Sequence, residues 1–497
     1  MKTISLIIIL LLIFAGNLSA NRYYVDADYG NDSNSGESES SAWKTLDKVN
    51  YPLNPFNAND IISFKCGSIF YDQTLIPPGS NLVFNSYGSG PRPVIDAEGD
   101  SVNLRMCVAV SDPRTNLRFE GIKFIHGWLS CLSFWNSSNV TINNCDVESA
   151  LQTSYTQAAP GMLYVGGSIS AQVNHWTVTN STFNYSLYGH AMYWDGVKDI
   201  LLDHDTIMYN GANGVQICSS LDTVNNGSNM DIIKNIADSV IVRYCVIRQN
   251  ATYGYGETGL FINSATNSKF YYNVIENHSI STYSGCIQLE NNYGTPPSNS
   301  GFYNNTIICH GGGHIAIYLG GDGAWTGMDS LYFKNNLIYS DDPNCYALYM
   351  SVLIGTNSQF TNNLYYYPAG GTRLFHMGPD DPIYDYPDIF TWKTASYNFT
   401  TPAGGYEAGS VTDAVNATFD SIFSNLQLKN GSNAISKGVY LGLTQDITGK
   451  YVSDPPDIGA YQNSIYLSGT LSANTTLNGN VAVTGNVTTP TNVTLTI

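Results

Sequence analysis

The 497-residue chain is acidic and sparsely charged: 39 Asp and Glu stand against 21 Lys and Arg, and charged residues are 12% of the whole. Nucleic acid is a poor partner for such a surface, and a polyanionic glycan is repelled unless a bound cation or a local basic patch intervenes. Abundant Tyr (36) and Gly (46), with many Asn and Ser, suit contact with sugars through aromatic faces and amides, and equally suit an inert β-structure.

The chain opens MKTISLIIILLLIFAGNLSA, in which Lys2 precedes an apolar run from Leu6 to Phe14 and a small, polar stretch ending at Ala20. That run is too short to span a bilayer and fits a secretory signal peptide over 1–20. The mature chain is then expected to begin near Asn21 and to be secreted, extracellular or at the cell surface, monomeric and not integral to a membrane. Loss of Lys2 leaves 20 basic residues against 39 acidic ones, a mature net charge of −19. The nine cysteines show no zinc spacing and read as small buried hydrophobes. Cys107 and Cys131, 24 residues apart, are expected to stack as neighbours within disulfide range.

Residues 21–115 carry YYVDADYGNDSNSG and AWKTLDKVN between 23 and 50, then FKCGSIF and NSYGSGPRPVIDAEG between 64 and 99. From 116 to 368 a repeat takes over. Aligned on one anchor position, nine segments place Ile122, Cys145, Ser181, Asp205, Cys245, Asn273, Asn305, Asn336 and Asn363 in register, at spacings of 23, 36, 24, 40, 28, 32, 31 and 27 residues. The positions three before and two after the anchor are apolar in all nine. A second strand follows each anchor, with apolar residues alternating against Tyr, Gln or Ser. A short fixed unit with variable insertions is the signature of a solenoid. Short strands wound in coils would stack about 4.8 Å apart. Asn273, Asn305, Asn336 and Asn363 then lie on successive coils, and an inward asparagine ladder is predicted there. Residues 369–462 follow as C-terminal coils ending in DITGKYVSDPPDIGAYQ (446–462). The uncharged, Thr- and Asn-rich 463–497 reads as the start of a second β-solenoid-like module that is truncated.

With this repeat, the two N-terminal motifs and the 446–462 motif, the chain resembles right-handed parallel β-helix proteins of the pectate-lyase-like superfamily, in its exported bacterial form. The resemblance implies an all-β solenoid with a short N-terminal capping helix, covering 116–368 as repeats and 21–115 as the cap and first coils. It implies a polysaccharide partner bound in a groove along one sheet. It does not choose among lyase, hydrolase, epimerase and adhesin, because fold does not fix function.

The outward column of the second strand reads Tyr164, Tyr193, Gln216, Phe261, Gln288, Ala316 and Tyr349, and the position beyond it reads Gly166, Asp195, Cys218, Asn263, Glu290, Tyr318 and Ser351. Tyr193, Gln216, Phe261, Gln288, Glu290 and Tyr318 are the candidate sugar contacts. His278 and His310 fall one coil apart at the near edge. His190, Asp195 and Lys198 lie within nine residues and form the candidate base–acid cluster for a lyase, which needs a cation or base beside the sugar carboxylate. Asp195, Asp203 and Asp205 are the candidate ligands should Ca²⁺ take part, since that ion wants several oxygens. Arg243 is expected beside Asp203, and Arg248 beside Glu276, as ion pairs. A hydrolase needs two carboxylates about 5–10 Å apart, whereas Asp195 and Glu290 share a column at three coils' distance, about 14 Å. Three readings follow: a polysaccharide-active enzyme of lyase or epimerase type, a non-catalytic glycan-binding or cell-surface protein, and a glycoside hydrolase on a neutral glycan.

Overall fold

The computed structural model describes residues 20–496 apart from 101, 152–160, 169–172, 227–228, 251–257, 278–284, 291–295, 311–314, 321–327, 353, 356, 369, 379–384, 394–408, 413–418, 422–424, 430–431 and 477–479. Its strands form three long sheets of 12, 12 and 11 strands, joined by coils that visit the three in turn. Lys198–Asp203 lies in the first sheet, Thr206–Met208 in the second and Val215–Cys218 in the third, and the next coil returns to the first sheet at Asp238–Arg243. Pairing between successive coils is parallel, and the molecule is the expected right-handed parallel β-helix. The short helix Asp47–Asn50 buries Val49 at the N-terminal end.

In all nine repeat coils two residues separate the first-sheet strand from the second-sheet strand. The first of them is left-handed: Gly121, Asn144, Asn180, His204, Tyr244, Tyr272, Asn304, Asn335 and Asn362 have φ between 51° and 69°. The second is the anchor, turned inward and buried in every coil. An asparagine doublet serves both needs. Asn tolerates the left-handed region better than most side chains, and an inward amide satisfies backbone groups freed at the bend. Asn273 Nδ2 donates to Asn305 Oδ1 at 3.0 Å, Asn305 to Asn336 at 3.0 Å and Asn336 to Asn363 at 3.1 Å. The same oxygens accept the backbone N–H of the preceding anchor. The column extends beyond the asparagines: Asn363 N–H donates to Ser410 Oγ, and Ser181 N–H to Asp205 Oδ1.

The outward asparagines of the doublets hold the closing segment. Asn304 Nδ2 donates to Asp457 O, Asn335 Nδ2 to Val439 O and Asn362 Nδ2 to Lys437 O, at 2.8–3.1 Å. Leu426, Leu428 and Ile458 thereby pack over Val274, Ile308 and Leu337 on the outer face of the second sheet. Inside, Phe270, Phe302, Phe333 and Phe360 stack at 4.7, 4.5 and 5.1 Å. Each buried ring contributes roughly 1.5–3 kcal/mol by area removed from water. Asp385–Tyr386 caps the third sheet by pairing antiparallel with Phe375–Met377, and Trp392 stacks on Phe375 at 4.9 Å. Cys107 and Cys131 are coil neighbours, as Val108 pairs with Leu132, but both are free thiols. Residues 464–496 carry two further parallel pairs, Ser464–Thr470 with Asn480–Thr488 and Thr475–Thr476 with Leu495–Thr496.

Candidate functional site

The repeat varies in length at the two edges of the third sheet. Between second and third sheets the chain runs from Glu148 to Leu163 and from Asn277 to Gly285; between third and first it runs from Cys218 to Asp238 and from Gly320 to Asp329. The Cys218 insertion includes a hairpin, Ser220–Asn226 against Asn229–Asn235. The corner between first and second sheets admits no insertion in any repeat coil. Inserted chain therefore borders one face, the outside of the third sheet.

Register fixes the rows on that face. Ser133, Tyr164, Tyr193, Gln216, Phe261, Gln288, Tyr318, Tyr349 and His376 follow one another in the outer row. Asp195, Cys218, Asn263, Glu290 and Gly320 form the row beside it. Tyr318, not Ala316, is the neighbour of Gln288, two residues from the register counted on the sequence. Tyr164 stacks on Tyr193 at 5.7 Å, Tyr318 on Tyr349 at 5.8 Å and Tyr349 on His376 at 4.1 Å. Burial, with the Asp195 charge behind it, pushes the Tyr164 phenol up to about 12. Gln216 accepts from Asn213 Nδ2 at 2.8 Å, and Gln288 Nε2 donates to Glu290 Oε1. Among the described residues the two rows hold the carboxylates Asp195 and Glu290 and no Lys or Arg.

His190, Asp195 and Lys198 do not come together as one cluster. His190 precedes Met192–Asp195 and Lys198 opens the following strand of the first sheet, so a four-residue strand, about 13 Å long, separates them. His190 is buried, stacks on Tyr193 at 5.6 Å and accepts the Asn213 N–H at Nδ1. Burial lowers its pKa to about 4, so the ring is neutral near pH 7 with its proton on Nε2. That tautomer donates a hydrogen bond and is poorly set to act as a base.

The three candidate calcium ligands also diverge. Asp195 lies on the third sheet; Asp203 lies on the outer face of the first sheet, bonded to Arg243 at 2.6 Å and to His204 at 2.7 Å. Asp205 is inside the ladder, where burial raises its carboxyl well above the usual range. The left-handed His204 between the last two turns them to opposite sides of the backbone.

His278 lies outside the described residues. His310 is buried at the corner between second and third sheets, with Nδ1 2.6 Å from Asp341 and Nε2 3.5 Å from Glu276, which also bonds Arg248. Burial opposes its charge, but the bonds to Glu276 and Asp341 outweigh that and hold the imidazole above its ordinary value. His310 is thus tied into an ion network, and both expected arginine pairs form.

The sequence reading missed the C-terminal end of the row. His376 Nδ1 lies 2.7 Å from Asp385, whose two oxygens accept from Tyr346 Oη at 3.2 and 3.1 Å. Arg373 sits over the Tyr346 ring at 4.8 Å. The available signal is LFHM at 374–377, which repeats the in–out–in alternation six residues past the end of the 116–368 repeat.

No family model matches the chain. A lacto-N-biosidase of Bifidobacterium longum subsp. longum is 34% identical over 143 residues; the match covers 26% of this chain and spans only 9% of that relative's length. Among solved structures, pectate lyase Pel9A aligns with a TM-score of 0.49 at 14% identity over 90% of this chain and 98% of its own. The GH136 lacto-N-biosidase of Eubacterium ramulus aligns at 0.46 and 11% over 80% and 68%. No described helix is long and apolar enough to cross a membrane.

Proposed function

We propose that the chain is an exported, monomeric, carbohydrate-active β-helix protein that holds a neutral glycan along the outer face of the third sheet. The observation that carries this reading is the placement of every repeat insertion at the edges of that face. The chemistry of the rows supports it: tyrosine, glutamine and phenylalanine offer ring faces and amides to a sugar, and rows that carry Asp195 and Glu290 and, among the described residues, no Lys or Arg disfavour a polyuronate. A lyase or epimerase on uronic acids would need a cation beside Tyr193 or Gln288, and Lys198 belongs to the first sheet. Cleavage of the neutral glycan by hydrolysis is the second reading, supported by the partial match to a protein named lacto-N-biosidase.

A panel of neutral and uronate-containing glycans, with and without Ca²⁺, tests this. Binding is read by calorimetry, hydrolysis by new reducing ends and lyase action by the ultraviolet absorbance of unsaturated products. Binding of neutral glycans without Ca²⁺ is expected. Binding or cleavage confined to uronate polymers in the presence of Ca²⁺ would overturn the neutral-glycan assignment.

A further inference from the structure

In the first coils, where the second sheet turns toward the third, three metal-binding side chains converge. Asp96 ends Val94–Asp96 and His126 follows Lys123–Ile125 one coil later, with Asp96 opposite Ile125. The pairing runs on past the strands: Ala97 N–H donates to Ile125 O at 3.1 Å and Gly99 N–H to His126 O at 2.9 Å, one on each side of Glu98. Gly99 permits this approach, since a Cβ there would lie 2.7 Å from the Trp128 nitrogen. His126 Nδ1 consequently lies 2.9 Å from Asp96 Oδ1 and 3.3 Å from Glu98 Oε1, and one donor atom from each residue falls within 4.8 Å of the others.

We propose that Asp96, Glu98 and His126 bind a divalent first-row transition metal, with zinc as the best fit. Zinc bonds to imidazole and carboxylate at about 2.0–2.2 Å, which sets adjacent ligands about 3–3.5 Å apart. The two separations from His126 Nδ1, 2.9 and 3.3 Å, are close to two edges of such a shell. Calcium prefers six to eight oxygens at longer distance, and an imidazole nitrogen selects the d-block ions. The site is reachable: Asp96 is buried, yet it borders an open depression of about 500 Å³. The cations nearest that opening are paired elsewhere, Arg92 with Asp146 and Lys123 with Glu148 at 2.6 Å. His126 would bind through the Nδ1 lone pair with its ring proton on Nε2, and water would complete the shell. The ion would cross-link two successive coils and so stabilise the native state by mass action.

The test uses the full chain stripped with a chelator, titrated with Zn²⁺ or Ca²⁺ by calorimetry and melted with and without each. Wild type is expected to bind one Zn²⁺ equivalent that His126→Ala and Glu98→Gln lose by at least tenfold in affinity, together with the rise in melting temperature. Glu98 is partly exposed, so Glu98→Gln should fold even if His126→Ala does not. No zinc bound by wild type, or the same equivalents and the same shift in both variants, would overturn the site. Calcium bound through these residues as tightly as zinc would overturn the metal class.

Discussion

The corner between the first and second sheets and the edges of the third belong to the same coils, yet they differ in almost every respect. At the corner, two residues suffice in all nine repeats, one left-handed and one buried, and from Asn273 to Asn363 the buried ones form a hydrogen-bonded column. At the third sheet's edges the chain inserts up to a whole hairpin. An inserted residue at the corner would break the inward phase of the anchor and strand buried amides, which costs about 1–3 kcal/mol for each group left unsatisfied. An inserted loop at the other edges adds only loop entropy, which grows slowly with length. The solenoid can vary where variation is cheap, and the face bordered by that variation is where a ligand can be recognised.

The largest expected effect comes from breaking the ladder. Asn305→Ala removes the acceptor of both Asn273 donors and should cost roughly 1–3 kcal/mol in thermal or urea melts. Asn363→Ala should cost about as much, although it ends the asparagine run, because Asn336 depends on it in the same way. A negligible effect of both would remove the ladder from the account.

Two buried titratable groups sharpen the contrast through opposite pH dependence. Asp205 has its carboxyl raised by burial, so its contribution is fullest below the unfolded value of 3.8 and is lost as pH rises toward the folded value. Asp205→Asn should therefore melt above wild type at about pH 8, with the gap closing on acidification. His190, lowered to about 4, runs the other way: its contribution is full above 6.5 and is lost as pH falls toward 4. His190→Gln should flatten the loss of melting temperature on the acid side of pH 6.5. The same pH profile for wild type and both variants would contradict these assignments.

The smallest stability change is expected from excising the hairpin. The Ala237 N–H already donates to Ser219 Oγ at 3.0 Å, so the ends of the excised piece adjoin. Replacing 220–235 by a short turn should alter stability by about 1 kcal/mol or less. A collapse of the fold would show that edge insertions are structural after all.

The fold was readable because its columns repeat: phenylalanine three before the anchor and asparagine at the anchor recur on successive coils, and both stack as the spacing required. The outward asparagine of each doublet was not readable, since its role lies in a left-handed φ and in a closing segment about a hundred residues away. The grouping of Asp203 with Asp205 failed for the same reason: alternation by two puts them on one side, and the left-handed His204 between them undoes that. On the third sheet, Tyr193, Gln216, Phe261 and Gln288 fall in the expected row, while Tyr318 was displaced by two because alternation around 314–320 puts Ala316 and Tyr318 on the same side and does not say which of them meets Gln288. The His376–Asp385 pair was hidden by a change from parallel to antiparallel pairing at the end of the sheet.

The most direct test of the glycan face compares equivalent substitutions on two sheets. Affinity for whichever panel glycan binds wild type is measured by calorimetry for Tyr193→Ala and Tyr318→Ala on the third sheet, and for Tyr332→Ala on the outer face of the first, each beside its own melting curve. At least tenfold weaker binding, about 1.4 kcal/mol, is expected for the two third-sheet variants, with Tyr332→Ala unchanged and all three melting close to wild type. Unchanged affinity in Tyr193→Ala and Tyr318→Ala, with a loss in Tyr332→Ala, would contradict the account and move the glycan to another face of the coil.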